Sequence, residues 1–479
     1  MLVGVGEARN RPDGRESPTD STSLAVAASH AAAGDLESLS VLDSIDAILM
    51  TVGSDDAPDP AGALREALGL PGAHTVVAAI GIPQQRLVGS AVLAVECGDA
   101  DAVLVVGSEA KASSLSARRA GVEAPAARSG PGADQPLAPQ GEFMADAEVS
   151  AMLWDPVAQY ALIDSALAEV EGRSPARLRT DVSELWARFD AVAGTNPDAA
   201  FAGRTHTAES LATSTEENRL LAFPYNKWHS TQWALDHAAV LLICSEDFAL
   251  RHGASADQLL HPQVALDSSW GLTLSRRQQM HRWPAMAVMG EVAQEHLGIA
   301  LAELELTELY SCFPAAVRLQ QRELGLPTDG TPTVTGGMAF AGGPFNHFTY
   351  MATAELARRL RAGGGNGAAE LALLTTVSGL LTKGGLMVWG RDPHPEGALV
   401  ADLSAEVRMA TGQVEVAEFD PDLAIEDAGT VLAATVTGGF DPKLYAIADD
   451  AAGIRHVVSE PVPDDDPAEV LADILDAAG

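Results

Sequence analysis

The stretch "ALREALGLP" at residues 63–71 returns as "LQQRELGLP" at residues 319–327, 256 positions later, and this echo decides the fold. Leucine, glycine, leucine and proline in that order read as a helix that stops at the glycine and is barred from continuing by the proline. Four residues past each proline stands a threonine, Thr75 or Thr331, opening "TVVAAIG" in one copy and "TPTVTGG" in the other. Both read as strands. Each is followed by a helical pattern, "QQRLVGSAVLAVECGDAD" or "FTYMATAELARRLRAGGG", and then by a buried strand, "AVLVVG" or "LALLTTVSG". Helix, strand, helix and strand twice in one order predict two duplicated α/β halves.

The rest of the chain fits around those halves. With 479 residues it is too long for one ordinary core. Residues 112–228 are predicted to be an insertion: "SSLSARRAGVEAPAARSGPGADQPLAPQGEF" is polar and rich in Pro and Gly, too long for a simple connector. Two amphipathic helices follow it, in "PVAQYALIDSALAEVEG" and "PARLRTDVSELWARFDAVAGTN". Beyond residue 394 the composition shifts to short β-prone pieces such as "GTVLAATVTG" and "KLYAIAD", then "DPAEVLADILDAAG", an acidic-capped terminal helix. The expected organisation is 1–111 first half, 112–228 loop domain, 229–394 second half and 395–479 a small β-rich barrel.

Charge and cysteine usage exclude several classes of function. The net charge is −36, with lysine only at 111, 227, 383 and 443, so neither a nucleic-acid nor an anionic-membrane surface is expected. An anionic ligand would need a local set of arginines or a helix N-terminus. No run reaches the roughly 18–20 apolar residues of a membrane span, and the N-terminus lacks a basic start and an apolar signal core, so a cytoplasmic protein is expected. Three cysteines, at 97, 244 and 312, give neither a disulfide framework nor paired metal-ligand spacing. Cys97 late in a helix and Cys244 inside an apolar strand read as structural, and no metal is expected.

The ordered motifs resemble the thiolase superfamily. "VECGDADAVLVVGSEAKASS" looks like the segment after the thiolase nucleophile, and "LDHAAVLLICSEDFA" like the strand that opens the second half. "ELYSCF" is similar to the HDCF loop of sterol-carrier-protein type thiolases, "TGGMAFAGGP" to the GHP loop, and "TTVSGLLTKGG" to the loop that often carries Cys-x-Gly. With its extra C-terminal unit the chain most resembles the thiolase-like type 1 proteins. The resemblance implies a five-layered thiolase fold with an OB-like C-terminal domain. It also implies acyl-CoA as ligand, no covalently bound cofactor, and a possible homodimer through the strand "TVVAAIG".

The same resemblance implies a depleted site. Thiolase spacing places the nucleophile at Gly81 in "IGIPQQ", the GHP histidine at Gly343, and the Cys-x-Gly thiol at Val377, leaving Gly379 to offer a backbone N–H. Cys312 matches the HDCF cysteine and is either an acid/base or an inert core thiol. Tyr310 replaces the HDCF histidine. A few thiolase-fold retro-aldolases place tyrosine there, and a phenol can exchange a proton with a β-hydroxyl; the bland alternative is a side chain filling a vacated pocket. His347, four residues past Gly343, is a candidate substitute base or a capping group. Trp228, His229 and Ser230 in "NKWHSTQW" are candidates to line a pantetheine tunnel, and Lys383 to meet a phosphate or carboxylate, with ordinary packing and solvation as the alternatives. Expected functions are therefore acyl-thioester recognition without the standard Claisen chemistry, a retro-aldolase or acyltransferase on CoA esters, or a non-catalytic scaffold.

Overall fold

Both copies of the repeated stretch are helix ends of the same construction. The computed structural model describes residues 1–11, 17–36, 38–55, 57–201, 203–363, 370–462 and 466–477. Helices Pro60–Leu68 and Pro314–Leu324 begin with proline in their first turn, where no backbone donor is wasted, and stop at Gly69 and Gly325 with φ of 71° and 67°. Leu70 then donates its amide to the Arg65 carbonyl at 3.0 Å, and Leu326 does the same to Gln321 at 2.8 Å. This is one helix-closing motif used twice, and only glycine accepts its left-handed step without strain.

The halves build two sheets with matching order. The first runs Leu2–Asn10, Asp236–Cys244, Ala102–Ala110, Ala47–Thr51, His74–Ala78 and Gln135–Leu137. The second runs Leu399–Asp402, His261–Ser268, Lys383–Gly390, Leu371–Ser378 and Leu306–Glu308. Starting from Leu2–Asn10 or from His261–Ser268, the next two pairings are antiparallel and the third is parallel. Helices Gln84–Glu96 and Phe348–Arg361 lie between the sheets and touch both. Ser21–Gly34 and Pro60–Leu68 cover the outer face of the first sheet, and Pro284–Leu297 and Pro314–Leu324 that of the second. The result is the expected five-layered thiolase fold, with the central strands of both sheets buried as near-continuous apolar runs.

Several boundaries differ from the sequence reading. Strand Asp236–Cys244 completes the first sheet although it follows the insertion, because it pairs antiparallel with both Leu2–Asn10 and Ala102–Ala110. The segment "TPTVTGG" is not a strand. The buried Glu308 carboxylate takes its place as partner, accepting from Val334 N (2.7 Å), Thr335 N (2.9 Å) and the hydroxyls of Thr333 and Thr335. Leu399–Asp402 joins the second sheet rather than the C-terminal unit. Strands Thr430–Val436, Lys443–Asp449 and Arg455–Pro461 do form a β-rich unit, but among the described residues they make an open meander instead of a barrel. Helix Pro467–Ala477 packs against that meander on one side, while Ala433, Tyr445, Ile447 and Val457 face the main core on the other. Both faces are thus buried without closure.

The edge strand His74–Ala78, expected to carry a homodimer, has its free edge occupied by Gln135–Leu137 of the same chain. Asp134 fastens that cover by accepting from the Thr75 amide at 2.9 Å and hydroxyl at 3.0 Å. Among the described residues no helix is long and apolar enough to cross a membrane.

Candidate functional site

Loops from both halves converge on a cavity of about 550 Å³, within the size range of small-molecule sites. Gly81, Tyr310, Cys312, Gly343 and Gly379 all line it. The insertion supplies Phe143, Met144, Trp154 and Tyr160, so the site is closed by the loop domain over the sheet ends. Asp155 is the one charged residue among the described lining, and it is engaged as the N-cap of helix Pro156–Val170.

Gly81 has φ of 98°, which side-chain-bearing residues rarely adopt. A Cβ there would stand 2.6 Å from Phe143 Cζ and 3.0 Å from Pro139 Cβ. At Gly379, whose φ is 56°, a Cβ would stand 2.8 Å from Phe143 Cδ1. Phe143 therefore fills the space between these two glycines. At Gly343 a Cβ would meet Thr231 Cγ2 at 2.4 Å. The chain has closed around all three glycines. Next to Gly379, Leu380 and Leu381 both have φ of 58°, and the buried Arg277 donates to the Leu380 carbonyl at 2.8 Å, which pins this left-handed turn.

Tyr310 and Cys312 face the cavity in their neutral forms. Burial pushes the Cys312 thiol up to about 12, opposed by a hydrogen bond with the Tyr160 hydroxyl. Burial likewise raises the Tyr310 phenol, while the Gln84 side chain hydrogen-bonds it. The Gln84 carbonyl oxygen is taken by the Thr349 amide at 2.8 Å, so its NH₂ is the group turned to the phenol oxygen. Tyr310 thus keeps its O–H available to a ligand. Tyr160 is also raised, first by burial and then by Cys312. A neutral thiol is a poor nucleophile, and neutral phenols are donors rather than bases.

Three candidates lie elsewhere. His347 is fully buried and points inward: its Nε2 pairs with His237 Nδ1 at 3.1 Å and its Nδ1 with the Phe345 carbonyl at 3.1 Å. His237 in turn meets Glu7 at 3.0 Å, and burial holds both histidines below the ordinary imidazole range. His347 belongs to a core network, because a group with both nitrogens engaged there cannot also reach the cavity. His229 is buried with Ser183 on Nε2 at 3.1 Å and the Asn226 amide on Nδ1 at 3.1 Å, and burial lowers it to about 3. Trp228 packs among Phe201, His206 and Phe340. Of the expected tunnel residues Ser230 alone lines the cavity, with Trp233 from the same segment.

Lys383 is buried rather than solvated; its Nζ donates to the Gly81 carbonyl at 3.1 Å and lies 5.0 Å from the Phe143 ring centroid. Sequence reasoning missed Phe143, Tyr160 and Gln84. Gln84 had a signal, standing at the start of the helix that follows Gly81; a single phenylalanine in a Pro/Gly-rich loop and a tyrosine on an insertion helix had none.

The whole fold is similar to that of a monomeric SCP2-thiolase-like protein type 1 (STLP1) from Mycobacterium smegmatis, with TM-score 0.78 and 24% identity over 96% of this chain and 91% of that one. It is also similar to the Ltp2-ChsH2(DUF35) aldolase, with TM-score 0.59 and 19% identity over 81% of this chain and 96% of that one. No family model and no curated protein matches the sequence.

Proposed function

We propose that this thiolase-fold chain binds an acyl thioester, acyl-CoA or an equivalent, in the 550 Å³ cavity and holds it without forming an acyl-enzyme. The observation that carries this reading is the convergence of five catalytic-loop positions on one cavity where three are sterically closed glycines and the remaining thiol is neutral. A Claisen condensation requires a thiolate, a base to generate it and a base for the α-proton. Here the nucleophile's position is Gly81 and the histidine's is Gly343.

What remains is a set of neutral donors in an apolar lining, suited to a thioester carbonyl with its acyl chain. The Tyr310 hydroxyl donates to the carbonyl oxygen, with Gln84 holding the phenol in place. No cation lines this cavity among its described residues, so the anionic part of CoA stays outside it.

A second reading, retro-aldol cleavage of a β-hydroxyacyl thioester, is favoured by Tyr310 in the cavity and by the similarity to an aldolase. It requires a base, and Asp155 is the one carboxylate among the described lining. Calorimetry with acetyl-CoA and a longer acyl-CoA, alongside a β-hydroxyacyl-CoA cleavage assay, separates these readings from a scaffold. Binding without cleavage, weakened about five- to tenfold in Tyr310→Phe by the loss of one hydrogen bond, is expected. Cleavage lost in Tyr310→Phe selects the aldolase, and absence of binding to every thioester overturns both.

A further inference from the structure

A second cavity of about 630 Å³ is lined by Arg86, Trp270, Ser404, Arg408 and Lys383 among others. Lys383 lines this second cavity, 2% exposed, with one hydrogen bond to the carbonyl of Gly81, which lines the first, at 3.1 Å. Among the described residues its amine makes no ion pair. The two carboxylates of the same cavity are engaged elsewhere, Asp402 with Arg86 and Glu142 with Arg276. The chain has thus kept a lysine inside, without a counterion, where a methionine or leucine would pack at no electrostatic cost.

The physics of that position favours the neutral amine. An unpaired ammonium taken out of water costs several kcal/mol. The Phe143 ring, 5.0 Å away, returns only about 0.5–2 kcal/mol through its π face. Burial lowers the Lys383 pKa. A lysine with a lowered pKa beside a cavity is suited to carbonyl capture. Arg408, exposed on the same cavity and making no ion pair among the described residues, supplies a positive charge for an acidic group on the ligand.

We infer that Lys383 is a carbonyl-capturing amine that forms an imine with a small aldehyde or ketone bearing a carboxylate, a 2-oxo acid by class, admitted from the 630 Å³ cavity. The nitrogen lone pair attacks the carbonyl carbon, the C=O pair moves to oxygen and takes up a proton, and water leaves as the C=N bond forms with loss of the nitrogen's protons. No oxidant or reductant is consumed. This site stands apart from the thioester reading, which neither its success nor its failure decides.

The test is reductive trapping of the full chain with pyruvate and cyanoborohydride at pH 7, followed by intact mass and peptide mapping. One adduct is expected, on Lys383, several-fold above the labelling of Lys111, Lys227 or Lys443, because burial lowers the pKa of this amine. Acetone, lacking the carboxylate, is expected to label it several-fold less. Lys383→Arg abolishes the adduct; because the mapping is done on the unaltered chain, a folding defect in that variant leaves the result standing. No adduct, or equal labelling of all four lysines, overturns the inference.

Discussion

Placing a thiol in the cavity by Gly81→Cys is expected to destabilise the protein and to give no acylation. Two costs follow from the geometry. A side-chain-bearing residue held at φ of 98° costs about 1–3 kcal/mol. Forcing a Cβ to 2.6 Å from Phe143 Cζ and 3.0 Å from Pro139 Cβ adds an overpacking cost of about 1–3 kcal/mol. The sum is about 2–6 kcal/mol, a large share of a typical folding free energy. Truncating the obstruction with Phe143→Ala relieves the second cost and leaves the first. In a double-mutant cycle read by urea denaturation, Gly81→Cys and Phe143→Ala should therefore couple favourably by about 1–3 kcal/mol. Even the double variant should gain no acetyl group from acetyl-CoA, since Gly343 provides no base. A fully stable Gly81→Cys, or a cycle without coupling, would refute the claim that the pocket has closed over this position.

Other consequences are as specific. Iodoacetamide at pH 8, followed by intact mass, should label exposed Cys97 readily and Cys312 slowly, because burial keeps the Cys312 thiol protonated up to about 12. The unfolded thiol deprotonates near 9, so the folded state binds the extra proton between 9 and 12; stability held below pH 9 should drain away as pH rises through that window. His347→Ala should cost about 2–4 kcal/mol by opening a cavity and stranding His237, with thioester affinity unchanged in calorimetry. Light scattering should find a monomer, because Gln135–Leu137 already pairs with the edge strand that a thiolase-type dimer would use.

How far the sequence carried depended on whether a signal was local. The duplicated halves were legible because Gly69 and Gly325 sit in identical helix stops, whose chemistry is written in four consecutive residues. The convergence of Gly81, Tyr310, Cys312, Gly343 and Gly379 was legible because the resemblance to thiolases implied that each lies on a loop facing one site. What failed was long-range. Nothing in "DHAAVLLIC" says that it pairs with Leu2–Asn10 across more than 200 residues, and nothing in "PFNHF" says which way His347 turns. Lys383 looked solvated because lysine usually is; its burial follows from Gly81 and Phe143, which pack against the start of its strand from distant loops. The C-terminal strands had barrel composition, yet their second face is covered by the main core, so closure was unnecessary.

The most direct measurement is intact mass of the unaltered protein after incubation with acetyl-CoA, paired with calorimetry on the same preparation. Saturable binding and an unshifted mass are expected. A mass increase of one acetyl group that vanishes in Cys312→Ala would contradict this, placing covalent chemistry on a thiol that burial keeps neutral despite the opposing hydrogen bond from Tyr160.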